Sequence, residues 1–325
     1  MLIVLSAFLL LFLSSCHPSE QAPSPGSRLI IGVPVQILNG LTFIAENRGY
    51  FRQEGIDAEL KTYPSGKQAL EALMSGEVDV ATASETPFVC KAIGGANAVI
   101  LATVAYSDNA VGVVARKDRD IGKPADLRGK TIATVRGSSA HYFLYCFLTE
   151  QCMNENDVKV VFYDPDQLPA ALINGEVDAI SMYEPYIYWS GKGLGENAIF
   201  FFSPVLYTKT FNLIVKPKAG EIPQFSAKIL NALIRAEKFM ATNPDEAVDI
   251  ITKKIGLPKE VVSAAAKDTD FHLCLRQSLL IVMEAQAQWA METCLTKDKK
   301  MPNFLDAIAE TPLKSLNEHA VSIIK

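Results

Sequence analysis

The chain has 325 residues, of which 49% are hydrophobic and 21% charged, and its net charge is −5. That length and apolar content support a large core and favour two domains over one. The acidic balance and the scattered basic residues argue against a nucleic-acid partner, and the short cluster from Lys297 to Lys300 reads as a solvated surface.

The first element is the apolar run MLIVLSAFLLLFLSSC, which stops at Cys16. It is shorter than the ~20 residues of a spanning helix and has the make-up of a secretory h-region. Leu13-Ser14-Ser15-Cys16 resembles a bacterial lipobox, which implies cleavage before Cys16 and a lipid on its thiol, although no Lys or Arg precedes it. HPSEQAPSPGS follows as a Pro- and Ser-rich tether. The expectation is a signal at 1–16, a tether at 17–27 and an exported body held to a membrane through the lipid alone. Export permits disulfides. Cys90, Cys146, Cys152, Cys274 and Cys294 then remain, an odd set that cannot all pair within one chain. Burial as small apolar side chains and a Cys146–Cys152 bridge both stay open. With no CxxC spacing and four dispersed histidines, neither a metal site nor a cofactor is expected.

The body opens with RLIIGVPVQILNGLTFIAENRGYF, a strand, a small-residue turn and a helix. An extended run (IDAELKTY), a helix (SGKQALEALM) and a short buried strand (EVDVA) follow, and the strand runs out at Glu85-Thr86-Pro87. The same order then recurs in KTIATVRGSSAHYFLYCFLTEQC, DVKVVFY, DQLPAALI, EVDAI and Glu184-Pro185. Leu73, Gly76, Glu77, Val78, Asp79 and Glu85 have copies 99 residues later at Leu172, Gly175, Glu176, Val177, Asp178 and Glu184. Strands alternating with helices predict a parallel sheet covered on both faces in each unit. Gly76 and Gly175 suit left-handed helix C-caps, and the prolines suit a first helical turn. Each glutamate therefore sits just past a strand's carboxyl end, where open α/β sheets bind ligands.

The fold class is α/β, with two lobes and a cleft between them. Lobe 1 is expected at 28–107 plus 213–325 and lobe 2 at 108–212, with crossings near Ala105–Asp108 and Thr208–Asn212 that form a hinge. From Gln224 onward the pattern is helical: QFSAKILNALIRAEKFMA, then NPDEAVDIITKKIG, then HLCLRQSLLIVMEAQAQWAMETCL as one long helix or a broken pair. These helices should pack on lobe 1, with their Met and Trp side chains in the core.

Candidate ligand contacts lie at the strand exits. Lobe 1 offers Gln36, Asn39, Ser65, Ser84 and Glu85, with Tyr106 at the hinge. Lobe 2 offers Ser138 and Ser139 in the turn GSSAH, where free N–H groups and the helix dipole favour an anion. Tyr163, Tyr183 and Glu184 complete the set. The serines also fit an ordinary N-cap role, Glu184 fits a helix cap, and His141 is read as a packing residue. Arg136 is the one evident cation near these turns, facing two glutamates, which favours an organic solute over a bare inorganic anion.

From Leu29 to about Lys300 the chain resembles the substrate-binding proteins of ABC importers for nitrate, sulfonate and taurine, including the thiamine-pyrimidine-synthase-like branch. The resemblance is carried, in order, by FIAENRGYFRQEGIDAEL, ALEALMSGEVDVA, DLRGKTIATVRGSSAHYFL, ALINGEVDAISMYEPY and ATNPDEAVDII. It implies a type II periplasmic-binding fold and a monomer that hands a small solute, sulfonate- or taurine-like, to a permease and its ATPase. A thiamine-pyrimidine or other heteroaromatic ligand is the alternative. A sensor and a biosynthetic enzyme of the same branch are the rival classes. The cysteine-rich CCCFC signature of that enzyme is absent, so no enzymatic activity is expected.

Overall fold

The computed structural model of the protein describes residues 28–204, 206–218, 222–293, 295–296 and 300–324. Cys16, the signal, the tether and Cys294 lie outside the described residues. The first unit runs β1 (Leu29–Pro34), α1 (Gly40–Asn47), α2 (Tyr50–Gln53), β2 (Ala58–Tyr63), α3 (Gly66–Ser75), β3 (Val80–Ser84), α4 (Glu85–Ile93) and β4 (Val99–Ser107). The second runs β5 (Val111–Arg116), β6 (Thr131–Thr134), α5 (Ser139–Glu150), β7 (Lys159–Phe162), α6 (Leu168–Ile173), β8 (Ala179–Tyr183), α7 (Tyr186–Leu194) and β9 (Ala198–Phe201). Strand β10 (Lys209–Val215) then leads into α8 (Ser226–Thr242), α9 (Pro244–Ile255), α10 (Lys259–Lys267), α11 (Gln277–Glu292) and α12 (Glu310–Lys314).

The strands form two five-stranded sheets, ordered β2-β1-β3-β10-β4 and β7-β6-β8-β5-β9. The expected all-parallel sheets are not what forms. In each sheet one strand runs against the others: β10 pairs antiparallel with β3 and β4, and β5 with β8 and β9. The reason is topological. Each of these strands enters its sheet from the other unit, so it arrives at the carboxyl edge and must run backwards. The crossover also falls earlier than 213: β10 pairs Lys209 with Ser107 and Phe211 with Ser84, so 209–212 belong to the first sheet.

The shared phrase folds alike in both units. α3 buries Ala69, Leu70, Ala72 and Leu73, which recur at helical spacing on one face. Gly76 and Gly175 end their helices at φ 82° and 77°, in the left-handed region where a Cβ is strained. The strands that follow, β3 and β8, are buried along their whole length. Each unit has its own core, centred on Ile31, Phe43, Leu70 and Phe88 in the first and on Val113, Phe143, Leu144 and Phe147 in the second. Truncating one such phenylalanine to Ala costs about 3–5 kcal/mol. The helices after β10 return to the first unit, α8 and α9 against α1 and α11 against α4. Among the described residues no helix is long and apolar enough to cross a membrane. Cys90, Cys146, Cys152 and Cys274 carry free thiols, so the Cys146–Cys152 bridge is not formed.

Candidate functional site

The carboxyl ends of β1, β4 and β8 meet the start of β10 around a cavity of about 370 Å³. Gln36, Tyr183, Glu184 and Lys209 line it on the strand side. Ile37, Leu38 and Ile187 add apolar wall, and α10 closes the outer side with Val261, Ala264 and Ala265. The segment after α10 is strapped to the hinge: Asp270 exchanges backbone hydrogen bonds with Tyr106, and the Ser107 hydroxyl donates to Asp268 O at 2.7 Å.

Lys209 is the cation of this cavity. Its side chain is 1% exposed, and its Nζ donates to Gln36 Oε1 at 3.1 Å. The ammonium lies 4.2 Å from the Tyr183 ring centroid, so that face of the ring is already occupied. Burial lowers the lysine's pKa to about 7, and the carboxylate of Glu85 offsets part of that. An ammonium has three donors, and Lys209 spends one on a neutral acceptor. Glu184 lies at the β8 exit, next to a cis bond to Pro185. Its Oε2 accepts from the Tyr188 N–H at 2.9 Å, so it does cap α7. Burial raises its pKa to about 7, with the Tyr188 N–H acting the other way. The buried Tyr183 phenol is also pushed up, and Gln36 reaches it by a side-chain hydrogen bond.

Of the eleven sequence-predicted contacts, Gln36, Tyr183 and Glu184 share the cavity. Glu85 does not reach it. Its side chain is fully buried and accepts from the Tyr207 hydroxyl, the Thr210 N–H (2.9 Å), the Thr210 hydroxyl (2.7 Å) and Gln286 Nε2 (2.8 Å). Asn39 Nδ2 turns back to Pro34 O at 2.5 Å and braces the first turn. The Ser65 and Ser138 hydroxyls cap their own helices through Gln68 N and His141 N. Ser84 and Ser139 are buried at the starts of α4 and α5. Tyr106 lies on the far side of the hinge, bonded to Asp270 beneath the Arg276 guanidinium. Tyr163 is half-buried past β7, within the second core. His141 packs between Phe162 and Trp289, accepting from Gly137 N at Nδ1 and facing Glu155 at Nε2. Arg136 lies over Phe162 and away from the cavity.

Lys209 and α10 are what the motifs do not reveal. The signal for Lys209 is a lysine at the head of KTFNLIV, a strand otherwise nearly all apolar, just where the chain crosses back. The signal for α10 is EVVSAAAK, short and small-residue-rich between Pro258 and Asp268.

The two units also touch each other away from this cavity. The Tyr186 hydroxyl donates to Pro64 O at 2.9 Å and Lys67 Nζ to Arg136 O at 3.2 Å. Trp289 of α11 meets His141 and Tyr142 of α5 edge-on.

Known proteins share this architecture. The periplasmic aliphatic sulphonate binding protein SsuA of Escherichia coli superimposes with a TM-score of 0.74 at 20% identity, over 88% of this chain and 92% of its own. The alkanesulfonate-binding protein SsuA of Xanthomonas axonopodis pv. citri, bound to MOPS, superimposes with a TM-score of 0.75 at 21% identity, over 88% and 99%. In sequence, a Bacillus subtilis protein named for binding aliphatic sulfonates is 26% identical over 326 aligned positions, covering 98% of this chain and 97% of its own length. The NMT1/THI5-like family matches residues 40–247. The chain belongs to the NMT1/THI5-like family.

Proposed function

We propose that the protein is an extracytoplasmic solute receptor, tethered through Cys16, that delivers a small organic anion of the aliphatic sulfonate or taurine type to an ABC permease and its ATPase. One observation carries this reading: Lys209 is a buried cation on a cavity between two sheet edges, with a neutral acceptor as its hydrogen-bonding partner. A cation in that position is costly unless a counter-ion arrives. The relatives named for sulfonates and taurine support the class of anion. A heteroaromatic ligand fits less well, because the Tyr183 face it would stack on holds the ammonium.

Capture works by closure. The lobes part about the crossings near 108–110 and 202–208, solute enters, and its anion bridges groups from both sheets. Ligand then shifts the population toward the closed form that a permease reads. The test is a thermal-shift and calorimetric panel of the purified protein with alkanesulfonates, aminoalkanesulfonates, nitrate and thiamine pyrimidines. At about 1,000 times its dissociation constant a ligand adds about 4 kcal/mol. Sulfonate binding that disappears in Lys209→Met is the expected result. A Lys209→Met protein that binds sulfonates as well as the wild type would refute the assignment.

A further inference from the structure

Tyr207 and Thr210 flank Lys209 in the chain, and both reach the carboxylate of Glu85. The Tyr207 hydroxyl donates to Oε1, and the Thr210 N–H (2.9 Å) and hydroxyl (2.7 Å) donate to Oε2. Gln286 of α11 donates from Nε2 to Oε1 at 2.8 Å. Donors alone meet the two oxygens, the set that an ionised carboxyl takes. These bonds also join the units. The Tyr207 ring packs in the second core, edge-on to Tyr142 of α5 at 5.3 Å, whereas Glu85 and Gln286 lie on α4 and α11, which pack together in the first unit. Glu85 thus pins the returning crossing to both units. Lys209 stands on that crossing, where its ammonium meets Gln36 of the first unit and the Tyr183 ring of the second.

The charge of Glu85 matters as well as its bonds. Other groups line the cavity: Tyr183 and Glu184 at the β8 exit, Glu260 on α10 and Asp268 just after it. Glu260 is exposed to water, and Asp268 accepts from Asn109 Nδ2 at 2.9 Å. The carboxylate whose charge acts on Lys209 is that of Glu85, and it opposes the effect of burial. Burial alone would favour the neutral amine, which cannot pair with an anion.

We propose that Glu85 is a positioning residue for solute capture: it does not touch the solute, and it acts through Lys209 by fixing the crossing on either side of that residue and by setting a permanent negative charge near it. The proposal rests on the reading of Lys209 as the anion's partner. It deepens that reading by naming what holds the cation in place and charged.

The experiment reads Lys209 in two ways on the full chain. In solute-free protein labelled at its lysine side chains, NMR follows the Lys209 titration, assigned by its absence in Lys209→Met. Calorimetry follows the affinity for ethanesulfonate over the same pH range. In the wild type both midpoints should fall near pH 7. Glu85→Gln keeps the shape and one acceptor oxygen but removes the charge. Both midpoints should then move down by about one pH unit or more, and affinity at pH 7 should fall about fivefold or more. A merely structural role for Glu85 would weaken binding at every pH and leave the midpoints in place. Glu184→Gln removes the other strand-exit carboxyl and should leave the Lys209 midpoint where it is. A folded Glu85→Gln protein with unmoved midpoints overturns the proposal, and so does a Glu184→Gln protein whose midpoint moves as far. Tyr207→Phe keeps the charge and removes one bond to Glu85, so it decides the matter where Glu85→Gln does not fold. Its midpoint should stay near pH 7 while affinity at about pH 6 falls about threefold or more. Wild-type affinity in Tyr207→Phe overturns the proposal. If ethanesulfonate does not bind the wild type but the Lys209 midpoint still moves in Glu85→Gln, the solute reading falls and the hold of Glu85 on Lys209 stands.

Discussion

Glu85 and Glu184 occupy the same place in the repeat, and the structure gives them different roles. The antiparallel neighbour decides which. Phe211 pairs with Ser84, so one step on Thr210 faces Glu85 and gives it both a backbone N–H and a hydroxyl. Val111 pairs with Tyr183, so one step on Ala110 stands by Glu184, and an alanine has no side-chain donor. Tyr207 and Gln286 then complete the shell of Glu85, while Glu184 lines the cavity and among the described residues accepts from the Tyr188 N–H alone. Duplication supplies two equivalent strand exits. The crossing strands make one of them a structural knot and leave the other lining the cavity.

Breaking the knot has the largest expected effect. Glu85→Ala leaves the Tyr207, Thr210 and Gln286 donors unsatisfied in a buried site, a loss of about 3 kcal/mol or more. Chemical denaturation read by circular dichroism measures it directly. Glu184→Ala, measured at about pH 5 where the carboxyl is largely neutral, should cost only about 1 kcal/mol, the worth of one hydrogen bond with the Tyr188 N–H. Equal losses at the two positions would erase the contrast.

Lys209→Met comes next, and its sign is the informative part. The lysine's pKa is lowered in the folded state, so its neutral form is the one the fold prefers. Its unfavourable contribution is absent above the unfolded value and grows as pH falls toward about 7. Removing the buried charge should therefore stabilise the ligand-free protein at pH 7 by about 1–4 kcal/mol while abolishing solute binding. Denaturation of the two proteins without solute is the check. Glu184 has the complementary sign. Its raised pKa gives stability that is present at low pH and fades as pH rises through about 7. The smallest effect is expected at Tyr106→Phe. It loses the bond to the half-exposed Asp270, about 1 kcal/mol or less, and should leave affinity unchanged because Tyr106 faces away from the cavity.

Much of this was legible in the sequence for a physical reason. The repeat is written in residues with strong local meaning: a glycine that must take positive φ, a buried five-residue strand, an acid before a proline. These predict the helix ends and strand exits as found at Gly76, Gly175, Ser84 and Tyr183. The reversed strands were not legible, because a strand's direction depends on which unit it comes from and not on its own residues. The same holds for Lys209. In sequence it is one lysine among many, and only its burial at the cavity sets it apart. The serines at positions 65 and 138 illustrate the reverse case, where residue types suited to anion binding are taken up by helix caps.

The most direct measurement is the pH dependence of affinity for 2-aminoethanesulfonate and for ethanesulfonate, from about pH 5.5 to 8.5. Solute needs Lys209 protonated, so affinity for both should fall as pH rises past about 7. The account predicts a one-sided curve for both probes and no titration or binding in Lys209→Met. Affinities that do not change with pH, or curves that survive Lys209→Met, would contradict it.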